Sequence, residues 1–189
     1  MNFKDYTKAL ELKPTSAITW NDRGETFDRI QHFYDAVKDY TKAIELKPNF
    51  AIAYFNRGET YRHLGRLEDS IKDFQQSISL DQDDPDSYRY MGICLHQLGK
   101  FEEAIKYFTA AIDMGDSSAS ILVSRALAYL DAKKYESASA DVDLALKVKN
   151  CNMAHAYYAK AIVMMQSGEE SQALKGKSTY IYMSNTSRT

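Results

Sequence analysis

The eleven residues Lys4 to Pro14, KDYTKALELKP, return 34 positions later as Lys38 to Pro48, KDYTKAIELKP, with ten of the eleven identical. Arg23-Gly24-Glu25-Thr26 comes back at the same offset as Arg57-Gly58-Glu59-Thr60. A chain that copies itself at a fixed period of this length builds one supersecondary unit and stacks it on its copies. Within each copy the large apolar residues fall at helical spacing, as in Trp20 and Phe27, then Ala36, Tyr40, Ala43 and Ile44. The period therefore dictates an all-α chain of stacked helices.

Laid out at this period, the chain gives blocks at 17–50, 51–84, 85–118 and 119–153, with a divergent or partial block at 154–177 and a tail at 178–189. Residues 1–16 precede them as a partial repeat carrying only a second helix. The first full block has Trp20, Gly24 and Phe27, then Ala36, Tyr40, Ala43 and Pro48. The second has Tyr54, Gly58, Tyr61, Gly65, Ser70, Phe74 and Ser77; the third has Tyr88, Gly92, Leu95, Gly99, Ala104, Phe108 and Ala111. The fourth reads Leu122, Ala126, Tyr129, Ala138, Val142 and Ala145, and the fifth, after one extra residue, Tyr157, Ala161, Met164, Gly168 and Ala173. This resembles the tetratricopeptide repeat pattern W-x2-L-G-x2-Y, A-x3-F, P, with Arg23 standing for its leucine, Phe27 for its tyrosine and Tyr40 for its phenylalanine. The resemblance implies a right-handed α-solenoid of antiparallel helix pairs, the tetratricopeptide superhelix.

Glycine in mid-helix costs about 1 kcal/mol relative to alanine, so its recurrence as Gly24, Gly58 and Gly92 points to a packing reason. The expected reason is close approach of the first helix to Ala36, Ser70 or Ala104 of the second. Pro48 and Pro85 punctuate block junctions, and Gly65 and Gly99 mark the turn between paired helices.

The chemistry of a catalyst is hard to find. Gly176-Lys177-Ser178-Thr179 looks like the end of a phosphate loop, but the required earlier glycine is Ser171 and no strand precedes it. Asn185-Thr186-Ser187 is a glycosylation sequon without a secretory signal beside it. His32, His63, His96 and His155 are not grouped as metal ligands, and neither Cys94 nor Cys151 has the setting of a nucleophile. We expect no enzyme activity, no cofactor and no metal. A net charge of −2 and a pI near 6.1 leave no basic footprint for nucleic acid, and no apolar run reaches membrane length. A cytoplasmic location, with reduced thiols, is the expectation.

In the tetratricopeptide family the first helix of each pair lines a concave groove that binds a partner peptide. Carried onto this chain, that face holds Asn21, Asp22, Glu25 and Asp28 in the first block, and Ile52, Phe55, Asn56, Glu59, Arg62 and His63 in the second. Asp86, Arg89, Tyr90, Ile93 and His96 follow in the third, Val123, Ser124, Leu127 and Leu130 in the fourth, and Tyr158, Ile162 and Met165 in the fifth. We take Asn21, Glu25, Phe55, Asn56, Glu59, His63, Arg89, Tyr90, His96, Leu127, Tyr158 and Ile162 as candidate partner-binding residues. The face runs from polar and acidic, through mixed, to apolar. Its apolar end could be covered by a bound peptide, by Tyr180-Ile181-Tyr182-Met183 of the chain's own tail, or by tighter local helix packing.

Co-chaperones of the family hold an acidic chaperone tail in a clamp of Lys and Asn, then Asn, then Lys and Arg. This chain offers Asn21 and Glu25, then Asn56, then Asp86 and Tyr90, so only Asn56 matches and two carboxylates would repel the tail. The asparagine ladder of the O-GlcNAc transferase repeats finds one rung, Asn56, where the other blocks have Asp22, Tyr90, Ser124 and Ala159. The reading is a non-catalytic scaffold that binds a peptide or protein in its groove without a carboxylate clamp. The alternative is a targeting or regulatory repeat segment of a larger enzyme or complex. Self-association through incomplete terminal repeats is a further expectation, and RNA binding is disfavoured by the acidic balance.

Overall fold

The computed structural model describes residues 3–148 and 153–166. Cys151, the Gly176–Thr179 segment, Tyr180–Met183, the sequon and the block boundary at 177/178 lie outside them. Among the described residues all regular structure is helical. The elements are α1 (Phe3–Leu12), α2 (Ala17–Arg29), α3 (Phe33–Leu46), α4 (Ala51–His63), α5 (Leu67–Leu80), α6 (Pro85–Gln97), α7 (Phe101–Asp113), α8 (Ala119–Asp131), α9 (Tyr135–Ala145) and α10 (Met153–Gln166). Helices α2 and α3 pack as a pair, as do α4 with α5 and α8 with α9, and α3 packs in turn against α4 and α7 against α8. The described residues divide into two compact units between Cys94 and Leu95.

Four turns between paired helices are built alike. Gln31, Gly65, Gly99 and Lys133, at one register of the four blocks, all take left-handed φ values of 62, 72, 74 and 60°. Each closes its helix with the same two bonds: Gln31 N–H to Asp28 O and His32 N–H to Phe27 O are matched by Gly65 to Arg62 and Arg66 to Tyr61. Gly99 to His96 with Lys100 to Leu95, and Lys133 to Leu130 with Lys134 to Tyr129, complete the set. This is the Schellman closure, which needs a left-handed residue and prefers glycine. Two glycines announced it in the sequence; Gln31 and Lys133 did not, because the backbone imposes the conformation on side chains that resist it.

Gly24 and Gly58 serve close packing: the Gly58 backbone meets Ser70 as expected, and an aromatic ring of the second helix occupies the space a side chain would take at both. A Cβ on Gly24 would stand 2.8 Å from the ring of Tyr40, and one on Gly58 would stand 3.1 Å from the ring of Phe74. The aromatic side chain of the second helix, rather than the small residue before it, fills the space. The Ser70 hydroxyl donates to the Gly58 carbonyl at 2.6 Å, so a polar side chain is satisfied where alanine stands in other blocks. Pro48 lies in the turn after α3, whereas Pro85 opens α6 as its first residue, where the missing N–H is not needed.

The arginine standing for the family's leucine is a structural device. Arg23 donates Nε and Nη2 to the Asp39 carboxylate at 2.7 and 2.9 Å, Arg57 does the same to Asp73, and Arg125 to Asp141. These forks tie the first helix of a pair to the second, with the aspartates almost fully buried. A third N–H reaches the preceding repeat, from Arg57 to Thr41 Oγ1 and from Arg125 to Thr109 Oγ1, both at 3.0 Å. Lys160 makes the corresponding backward bond to Asp143 at 2.7 Å. Aromatic rings flank the guanidinium groups, Trp20 at Arg23 and Tyr54 and Tyr61 at Arg57.

Candidate functional site

All the candidate residues stand on the first helices of their blocks: α2, α4, α6, α8 and α10. In the first unit, neighbouring first helices are stitched together by polar side chains. Asn56 Nδ2 donates to Asn21 Oδ1 at 3.1 Å, and Asn21 is buried. Thr60 Oγ1 donates to Asp28 Oδ1 at 2.8 Å, and His63 Nδ1 lies 3.8 Å from the same carboxylate, with its ring against Phe33. Asn21 and Asn56 thus use part of their hydrogen-bonding capacity on each other, and Glu25 stays exposed beside them.

Farther along this unit the sequence brings aromatic and cationic groups together. The Tyr90 ring stacks on Phe74 at 5.9 Å and meets Phe55 edge-on at 5.5 Å. The guanidinium of Arg89 lies over Tyr90 at 4.6 Å and that of Arg62 at 5.4 Å. Burial, and then the Glu59 carboxylate, push the Tyr90 phenol above its ordinary pKa, so it stands as a neutral hydrogen-bonding group. Glu59 Oε1 also lies 3.6 Å from Arg62. Phe55, Glu59, Arg89 and Tyr90 therefore form one partly exposed cluster, and Arg62 joins them as a member that the selection of candidates from sequence omitted. Such clusters of arginine over tyrosine offer flat apolar area and directed charge at once.

Beside the cluster lies a pocket of about 370 Å³. Ile52, Phe55, Ala51 and Pro85 form its apolar part, and Asp81, Asp83, Asp84 and Asp86 its rim. Ile52 keeps 46% of its surface exposed there. Asp84 is the cap of α6, accepting from the Ser87 N–H and hydroxyl and the Asp86 N–H, and Asp86 pairs with Arg89.

The second unit uses the same face differently. Leu130 is buried with Ala126, Ala138, Val142, Ala159 and Val163, and Val123, Leu127 and Ile162 pack against that core. Local helix packing thus covers most of the apolar end, while Tyr158 and Met165 remain exposed. His96 Nε2 sits 2.7 Å from Asp131 Oδ2, and its ring lies against Phe101.

Burial pushes the Cys94 thiol above its ordinary pKa, so it is a poor nucleophile. Among the described residues no group of three or more His, Cys, Asp and Glu could hold a metal ion, and no helix is long and apolar enough to cross a membrane.

Comparison with known proteins agrees with the repeat architecture. Tetratricopeptide repeat models match residues 17–50, 49–117 and 92–152. A search of curated protein sequences finds no significant match. Among solved structures, YrrB, described as a tetratricopeptide protein with an unusual peptide-binding site, superposes with a TM-score of 0.80 at 18% identity, covering 95% of this chain and 92% of that one. MamA from Desulfovibrio magneticus RS-1 gives a TM-score of 0.84 at 11% identity, over 92% of this chain and 98% of that one. A chain of the APC/C hetero-tetramer Cut9-Hcn1 gives 0.78 at 16% identity, over 95% of this chain but 36% of its own length. With its recurrent helix pairs, its Schellman turns and these three matches along residues 17–152, the chain belongs to the tetratricopeptide repeat family.

Proposed function

We propose that this protein is a non-catalytic interaction scaffold that binds a peptide or partner protein on the first-helix face of its N-terminal unit. The observation that carries this is the cluster of Phe55, Tyr90, Arg89 and Arg62, an aromatic surface with two guanidinium groups over one ring. Unlike the ring-flanked fork arginines, Arg62 and Arg89 stand on the candidate first-helix face, where apolar area and charge together suit recognition. The peptide-binding site described for YrrB supports the reading at the level of the shared fold. A chaperone-tail clamp is disfavoured because Asn21 and Asn56 bond to each other and Glu25 and Asp86 bring negative charge to the positions that would meet a carboxylate.

The test is affinity capture with the Phe55→Ala, Arg89→Ala and Tyr90→Ala triple variant beside the unaltered chain. Helicity should be retained and partner capture lost. Undiminished capture would exclude this cluster as the site.

A second reading, a targeting or regulatory segment of a larger assembly, is supported by the Cut9-Hcn1 likeness, in which the match covers 36% of a longer chain. Reading the complete gene decides it, and an open reading frame that starts at Met1 and stops after Thr189 would sink it.

A further inference from the structure

The junction between α5 and α6 is chemically unlike its counterparts. The turns after α1 and α3 begin Lys13-Pro14 and Lys47-Pro48, while the turn after α5 reads Asp81-Gln82-Asp83-Asp84 before Pro85. The lysine of two junctions is replaced by aspartate in the third, beside the pocket that adjoins the aromatic cluster.

Two of the four aspartates lining the pocket are committed locally. Asp84 caps α6, and Asp86 is paired with Arg89. Asp81 accepts only the Asp83 backbone N–H, at 3.2 Å, and among the described residues neither Asp81 nor Asp83 is in an ion pair. No lining residue of the pocket is basic. The result is an apolar floor of Ile52 and Phe55, open to solvent, with uncompensated negative charge at one edge. The pocket has room for a single large side chain, and its solvent-open apolar floor lies on the same first-helix face as the aromatic cluster.

We infer that the pocket at Ile52 and Phe55 receives a bulky apolar side chain of a partner peptide, and that Asp81 and Asp83 select a lysine or arginine next to it. The inference rests on the scaffold reading above and adds the chemical class of the ligand. Two kinds of complementarity meet at this edge. Covering Ile52 and the Phe55 edge gains about 25 cal/mol per Å² of apolar surface removed from water. A cation at the rim meets carboxylates that no neighbour neutralises, which sets specificity and salt dependence more than affinity. An acidic peptide would meet repulsion at the same edge.

The test uses the full chain and a random-sequence peptide library, followed by single peptides from the enriched set. Enriched sequences should pair a leucine, isoleucine or phenylalanine with an adjacent lysine or arginine, and their binding should weaken with added salt. The double variant Asp81→Asn, Asp83→Asn should bind such peptides roughly five- to tenfold more weakly. Ile52→Asn, at a half-exposed position that should not disturb folding, should weaken them at least as much. Binding that is lost in the Phe55, Arg89, Tyr90 variant but selects no basic residue, or ignores the Asp81 and Asp83 changes, overturns this inference and leaves the scaffold reading standing. Binding indifferent to both sets of variants, or no enrichment at all, overturns the two together.

Discussion

Between the first helices α2 and α4 of the first unit and α8 of the second, the chemistry at one register reverses. Position nine is Glu25 and Glu59 against Leu127, and position twelve is Asp28 and Arg62 against Leu130, with Ile93 and His96 of α6 standing between these extremes. The backbone beneath is the same pair of helices with the same Schellman turn and the same arginine–aspartate fork. In the second unit these side chains complete a core with α10. In the first they leave a polar, aromatic and partly open face. A repeat scaffold fixed by its second helices and turns thus leaves the first-helix face available for packing or for recognition.

The shared scaffold should break equally in both units. Asp73→Ala and Asp141→Ala each strand a largely buried guanidinium, and each should destabilise by about 3 kcal/mol in urea unfolding. A large difference between them would mean the forks are not equivalent. The double variant Arg57→Met, Asp73→Leu should recover most of the loss, since the third block already carries Met91 at the arginine position.

The differing face should break unequally. Leu130→Ala, at 4% exposure, should cost about 3 kcal/mol, whereas Glu25→Ala should stay within about 0.5 kcal/mol of the parent. Equal effects would erase the distinction between the units. Gly24→Ala probes the packing of the core, because its Cβ would press on Tyr40; about 1–2 kcal/mol of destabilisation is expected, with less at Gly58, where the approach is looser. The smallest effect has the opposite sign. Lys133→Gly and Gln31→Gly relieve a left-handed side chain and should each stabilise by about 0.5–1 kcal/mol, measurable as a raised Tm.

Much of the fold was legible in the sequence, because a period of 34 residues is written in every block that keeps it. Gly65 and Gly99 announced their turns by residue type. Gln31 and Lys133 carry no such mark and could have been found only by trusting the register over the residue. The fork was present in the text as an arginine and an aspartate sixteen positions apart in three blocks, yet it reads as a substitution of leucine until the second helix is seen against the first. The site was less legible. Asn21 and Asn56 look free for a ligand among the first-helix positions, but their mutual bond depends on the spacing of successive first helices, which no local pattern encodes. The pocket's floor includes the candidate Phe55, but its acidic rim at Asp81, Asp83 and Asp84 lies in a junction loop, outside the helical register that holds the candidate residues.

On the proposed reading, recognition belongs to the first unit, while first-helix side chains of the second unit are taken up in packing. Ile52 and Tyr158 test that division on equal terms, since each stands on a first helix with 46% of its surface exposed. A photo-crosslinking amino acid placed at one or the other, with an enriched peptide as partner, reads the location of the bound chain directly. Peptide adducts are expected at position 52, with none above background at position 158. Adducts at 158 without adducts at 52 would contradict the division.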